Sequence, residues 1–410
     1  MSDRLKKAGG AGLLIVNGSS FLFNEDTQEL YALNAVAAYI WACIEDGLGI
    51  AETAEAVAGD LRATRAEADA HVHRMVGLWI KSRMLLDGTE DPGAPPSPVR
   101  RAAAADGVIG VPFERPAGLR FPVRRVLRLL SQDFVVRLTS TEADARVMAV
   151  LGHLATRDPA EDCPVIDVIA DGSEGAGAVI AIGAGRYARC RGLDELAPAL
   201  KAQITAMTIA AEPHALAFHA AAVSSGGGSL LLPAASGSGK STLTAALLRA
   251  GFGYLSDDIV LLDQPAHRVR GLPLPICIKA AGAAALRSHY PALERSPLHL
   301  RADDQRVRYL IPPPDAWSLA TAGEPRAVEW IVFPRYDPDR PTALERIDGG
   351  RALARLLPQA AAGIFLERRD VEALAAWIAT RACYELGIAS LADAIEALRS
   401  LDGFAPDVGR

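Results

Sequence analysis

Short apolar runs open the chain: Leu13 to Val16, Phe21 to Phe23 and Glu29 to Leu33, separated by turn residues at Asn17-Gly18 and Asn24-Glu-Asp26. They predict a small antiparallel meander. The spacing then becomes helical, with Val36, Ile40, Trp41 and Ile44 behind Asn34, which can cap a first turn. Ile50, Ala54, Val57 and Leu61 mark a second helix, and Thr64-Arg-Ala-Glu67 is a capping-box pattern ahead of Val72, Met75, Val76 and Trp79. Residues 1–88 therefore predict a winged-helix-like α+β domain. Residues 89–118, which include Asp91-Pro-Gly-Ala-Pro-Pro-Ser-Pro98, predict a linker. In 119–210, apolar segments at Val126–Leu130, Phe134–Leu138, Val165–Ile169 and Ala178–Ile182 predict strands, and Leu193 to Ala210 predicts a helix. No chemistry is visible there, and the region is expected to complete the sheet of the domain after it. In 211–410, Asp370 to Leu386 and Leu391 to Leu401 predict two amphipathic helices that close the final domain.

Within that last region an apolar run, Ser229 to Leu232, stops in Ala234-Ala-Ser236-Gly237-Ser238-Gly239-Lys240-Ser241-Thr242, followed by a helical stretch that ends at Gly251. A strand, a Gly/Ser loop and a helix start in this order predict a phosphate cradle: backbone N–H groups face an anion, Lys240 reaches the terminal phosphates and Ser241 holds Mg²⁺. Ala234 stands where the G-x-x-x-x-G-K-[ST] pattern has its first glycine, which an alanine can replace if φ stays negative. Downstream, Asp257 and Asp258 head an apolar strand. Two carboxylates beside a phosphate loop suit phosphoryl transfer, one accepting a proton from an attacking hydroxyl and the other binding Mg²⁺. His219 lies just ahead of the loop.

Length and charge narrow the function. With 410 residues, half of them apolar, the chain can bury several cores. The formal net charge is −6, and residues 1–87 hold eight Lys/Arg against twelve Asp/Glu, so neither nucleic acid nor an anionic membrane is an expected partner. Five scattered cysteines suggest neither a zinc site nor a disulfide framework, and the N-terminus lacks a signal-peptide core; the expected setting is the cytoplasm. A small sheet with an exposed edge can instead capture a peptide as an added strand.

Two parts of the chain resemble known families. Leu30-Tyr-Ala-Leu-Asn-Ala-Val-Ala-Ala-Tyr-Ile-Trp41, with the helix Ile50 to Leu61 and the long third helix ending at Leu86, resembles the PqqD-type domain, or RiPP recognition element, over residues 10–88. The resemblance implies that the leader of a ribosomally made precursor peptide docks beside Glu29–Leu33 and the third helix. His219, the Ser236–Thr242 loop and Ser256-Asp257-Asp258, with Val328 to Tyr336 and Tyr384-Glu-Leu386, resemble the HPr kinase family, whose P-loop fold is related to phosphoenolpyruvate carboxykinase. That resemblance implies ATP and Mg²⁺ as cofactors, Asp257 as the base, Asp258 with Ser241 at the metal, and His219 orienting them. Arg268-Val-Arg-Gly271 departs from the family's Glu-x-Arg-Gly signature, and the Pro-Leu-Pro after it, with Lys279, looks more like relatives in peptide-modification clusters, including those that phosphorylate lasso-peptide precursors. Lys279, Arg308 and Arg335 are candidate phosphate or substrate contacts. The expectation is a peptide Ser/Thr kinase; a regulatory serine kinase of a folded carrier and a nucleotide-gated leader-binding chaperone are the alternatives. Homo-oligomer formation is left open.

Overall fold

The computed structural model describes residues 5–16, 18–60, 63–87, 116–170, 177–183, 186–212, 216–226, 228–263, 265–313, 323–361 and 365–406. The expected linker lies, up to residue 115, outside the described residues. The chain divides into two compact units. The first contains Met1–Ala102 together with Ile347–Pro358 and Gly363–Cys383, two segments of the region expected to form the final domain.

In the first unit, β1 (Leu5–Lys7) pairs with β5 (Leu85–Asp87), while β2 (Ala11–Val16), β3 (Ser19–Asn24) and β4 (Glu29–Leu33) form the expected antiparallel meander. Three helices come after β4: α1 (Ala35–Glu45), α2 (Ile50–Asp60) and α3 (Arg65–Lys81). Asn34 accepts from Ala37 N at 2.8 Å, and the Thr64/Glu67 capping box is formed. The helices bury Leu22, Ile40, Val57, Val72 and Val76 around an edge-on pair, Trp41 and Trp79, with ring centroids 5.3 Å apart.

The meander also buries its other face. Residues directly opposed in an antiparallel pair share a face, so Gly12↔Phe23, Leu14↔Phe21 and Val16↔Ser19 lie on the side away from Leu22. Leu14, Val16, Phe21 and Phe23 are nonetheless buried. Part of their cover comes from the other end of the chain: α8 (Gly349–Leu356), whose Gly350 would place a Cβ 2.9 Å from the Phe21 ring, and α9 (Arg368–Ile378). Four such side chains contribute on the order of 6–12 kcal/mol at ~1.5–3 kcal/mol each, comparable to a domain's whole net stability of ~5–15 kcal/mol.

The second unit holds two larger sheets. In the first, β6 (Val123–Leu129), β7 (Gln132–Leu138), β8 (Ala155–Thr156), β9 (Val165–Ala170), β10 (Ala178–Ile182) and β11 (Arg186–Cys190) run in the order β11-β10-β9-β7-β6-β8, with α4 (Thr141–Leu151) packed against α5 (Leu193–Ala211). A two-pronged ion pair from Arg137 to the buried Asp167, at 2.7 and 2.9 Å, ties β7 to its parallel neighbour β9. The region was expected to extend the sheet of the next domain. It builds its own sheet because each strand finds its partners within 123–190.

The second large sheet has eight strands: β12 (Leu216–Ser225), β13 (Gly228–Pro233), β14 (Gly253–Ser256), β15 (Ile259–Leu262), β16 (Val269–Gly271), β20 (Val328–Tyr336), β21 (Ala343–Arg346) and β22 (Ala382–Ile388). They run in the order β16-β15-β12-β13-β20-β22-β21, with β14 also paired to β12. The helix α6 (Lys240–Arg249) comes after β13. A small sheet of β17 (Ile276–Lys279), β18 (His299–Leu300) and β19 (Arg306–Leu310), with the short helix α7 (Ala280–Ala285), lies in the same unit, as does α10 (Leu391–Arg399). The helix expected through Leu386 stops at Ile378; Ala382–Ile388 is a strand instead, because Tyr384–Gly387 pair with Arg346–Ala343.

Candidate functional site

β12 gathers the site through its register. On one side Ala220 opposes Pro233, and Ala234 N donates to His219 O at 3.4 Å, bringing the start of the Gly/Ser loop beside His219. On the other side His219 opposes Ile259, the residue after Asp258. Three stretches far apart in sequence therefore meet at one point of one strand.

Two glycines shape the loop. Gly237 and Gly239 hold φ of +92° and +89°, the left-handed region that favours glycine. Ala234 is not among the residues with positive φ, so its methyl costs no backbone strain. Lys240 starts α6 and lies 3.5 Å from Ala234 O; Lys279 Nζ donates to Ser236 Oγ at 2.9 Å; Tyr336 N donates to Ser238 O at 3.0 Å. Thr242 packs against Gly282, where an added Cβ would lie 2.6 Å from its Oγ1.

The two aspartates differ in setting. Asp257 is buried: Cys277 N donates to its Oδ2 at 3.3 Å, Oδ1 has no hydrogen-bond partner, and the nearby Ser241 hydroxyl favours the charged form. Burial pushes its carboxyl up to about 6, with Lys240 opposing and Asp258 adding to the rise. Asp258 is half-open to the surface, 3.1 Å from Lys201 Nζ and 4.0 Å from His219 Nδ1. The Lys201 ammonium holds the Asp258 carboxyl well below the usual carboxylate range, against the protein atoms crowded around it. Burial works against charge on Lys201, yet Asp258 outweighs it and keeps the amine protonated. His219 is pushed below its ordinary value, first by burial and with Lys240 adding, while Asp258 opposes, so its imidazole is neutral near pH 7.

Of the residues singled out in the sequence, His219, the Ser236–Thr242 loop, Asp257, Asp258 and Lys279 come together. Arg308 does not join them: its guanidinium donates to the Ser296 carbonyl. Arg335 is exposed and paired with Asp337 at 2.9 Å, one residue before the Tyr336 contact to the loop. Lys201 could not be placed from the sequence. Its only signal was a lysine on the apolar face of α5, beside Leu196, Ala197, Leu200 and Ile204, all buried. Arg301 was also missed; its Nη1 lies 3.7 Å from Cys277 Sγ, beside Asp257.

Two buried polar atoms bear on whether a nucleotide and a metal would fit here. Ser238 Oγ in the loop and Asp257 Oδ1 are both buried without a hydrogen-bond partner, a costly state that a phosphate oxygen and a cation would relieve. Among the described residues no group of three or more His, Cys, Asp or Glu could hold a metal ion. Mg²⁺ bound through one carboxylate, a hydroxyl and phosphate oxygens needs no such group.

The first unit offers a different kind of site. Among the described residues β4 pairs with β3 alone, leaving an edge, and all its side chains are at least partly exposed. Tyr31 on that edge donates to Glu29 at 2.8 Å and lies within hydrogen-bond reach of Ser82 at the end of α3. A small sheet with a free edge beside a long helix can take a peptide as an added strand. Residues 20–85 match the family described as Coenzyme PQQ synthesis protein D (PqqD) and form a PqqD-like RiPP recognition element. PqqD domains bind precursor peptides in RiPP pathways. No curated protein matches the chain. Among the described residues no helix is long and apolar enough to cross a membrane.

Proposed function

We infer that the chain is an ATP-dependent kinase of a ribosomally synthesised precursor peptide: the first unit holds the leader, and the second transfers a phosphoryl group to a Ser or Thr hydroxyl. The observation that carries the reading is the contrast between the two aspartates at the loop. Bound ATP and Mg²⁺ supply the transferable group and its charge compensation. The loop N–H groups, Lys240 and Lys279 hold the phosphates. Ser241 and the orphaned Oδ1 of Asp257 suit the metal. This exchanges the roles implied by the resemblance, since it is Asp257 that has the Ser241 hydroxyl nearby and a buried oxygen without a partner. Asp258 is half-open, ionised and flanked by Lys201 and His219, which suits it to orient the acceptor hydroxyl; held so low it is a weak base, and it takes up the proton only late, once that oxygen has bonded to phosphorus and become strongly acidic and ADP leaves. Neutral His219 restricts where Asp258 can turn. Holding the leader and the acceptor on one chain raises the acceptor's local concentration, up to about the millimolar range.

The test is mass spectrometry of candidate precursor peptides, taken from the short open reading frames beside this gene, after incubation with purified full-length protein, ATP and Mg²⁺. A phosphopeptide is expected from wild type and none from Lys240→Ala or Asp258→Asn, with leader binding retained in both. Preferential labelling of a folded carrier protein, or ATP turnover with no labelled product, would refute the peptide-kinase reading.

A further inference from the structure

We propose that the tail segments Ile347–Pro358 and Phe365–Cys383 are a working part of the peptide-recognition site, setting the geometry of the edge strand β4. This rests on the reading of residues 20–85 as a peptide recogniser, and it enlarges that site by a segment more than 300 residues away in sequence.

Three contacts carry it, all inside the first unit. The first is at the turn that launches β4. Gln28 holds φ of +59°, a conformation disfavoured for a side chain with a Cβ. Its amide is locked to the tail in both directions: Nε2 donates to Leu366 O at 2.8 Å and Leu366 N donates to Oε1 at 2.8 Å. Nε2 also donates to Glu25 O at 2.7 Å, closing the turn on itself. The second is at β2. Arg368 Nη2 donates to Leu13 O at 2.8 Å and Arg368 N donates to Glu25 Oε1 at 2.7 Å. Its guanidinium lies so close over Gly12 that an added Cβ would sit 2.0 Å from Nη1. The third is at β3, where Gly350 sits on Ser19 and Phe21; an added Cβ would meet them at 2.8 and 2.9 Å.

The consequence for binding comes from strand addition. A peptide pairing with an edge reads the spacing and twist of that edge's backbone. β4 is held on one side by β3 and at its start by the Gln28 turn, and the tail grips both. α8 also packs against β4 itself. A recognition domain cut at residue 88 would leave Phe21, Phe23, Leu14 and Val16 without the tail that helps bury them, and the Gln28 turn without its lock.

The test keeps the full chain and uses two variants outside the phosphate site. Gln28→Gly keeps the left-handed turn without strain but removes both bonds to Leu366; Gly350→Val blocks the seat on Phe21. Binding of fluorescein-labelled candidate precursor peptides, taken from the short open reading frames beside this gene, is followed by anisotropy, and backbone exchange of residues 29–33 by deuterium labelling. Both variants are expected to weaken peptide binding at least fivefold and to speed exchange at 29–33, with affinity for a fluorescent ATP analogue within twofold of wild type. Unchanged exchange at 29–33 in Gln28→Gly overturns the proposal, as does peptide affinity within twofold of wild type in both variants. A wild-type chain that binds no peptide overturns the recognition reading instead, and the exchange measurement still decides whether the tail orders β4.

Discussion

Asp257→Asn tests the electrostatics of the site without any substrate. A buried carboxyl moved from its ordinary 3.8 to about 6 binds its proton more tightly in the folded than in the unfolded chain. The folded state therefore loses stability as pH rises from about 4 to about 6, and above that the full cost of ionising Asp257 in place is carried, on the order of 3 kcal/mol. The groups that set it are the surrounding apolar wall, Asp258, and the opposing Lys240, Ser241 and Cys277 N–H. Asparagine keeps the shape and a carbonyl acceptor, but carries no charge. In calorimetry at pH 7 without nucleotide or metal, Asp257→Asn is expected to melt roughly 5–10 °C above wild type, with the gap closing near pH 4. Adding Mg²⁺ with ATP should raise the melting temperature of wild type far more than that of the variant. A variant that melts at or below wild type at pH 7, or a gap that persists at pH 4, would refute the claim that Asp257 waits for a cation.

Two other outcomes are expected at the same site. Lys201→Met removes the cation that keeps Asp258 ionised and in place; phosphopeptide turnover is expected to fall at least tenfold, with fluorescent-ATP affinity within threefold and partial recovery in Lys201→Arg, and unchanged turnover would remove Lys201 from the mechanism. Ala234→Gly is expected to leave ATP affinity within twofold and stability within about 1 kcal/mol, measured by titration and denaturant unfolding, because Ala234 needs no left-handed backbone; a large gain in affinity would show that the methyl obstructs the loop.

Local patterns made much of the chain legible from sequence alone. The meander, the caps at Asn34 and Thr64, and the strand-loop-helix around Lys240 each depend on residues within a few positions of one another, and each formed as expected. The adjacent Asp257 and Asp258 could be singled out because their position at the head of a strand beside a phosphate loop is itself a chemical signal. What tertiary structure alone decided are the long-range choices. Sequence could not distinguish the two aspartates, since their difference comes from Lys201, 56 positions upstream of Asp257, and from burial that only packing defines. Nor could it place the tail: an amphipathic helix announces an apolar face but not which surface will cover it. The partial signal lay in β2 and β3, where Leu13-Leu-Ile-Val16 and Phe21-Leu-Phe23 are apolar on both faces rather than alternating. Strands of that kind need cover on two sides, and the second cover came from the far end of the chain.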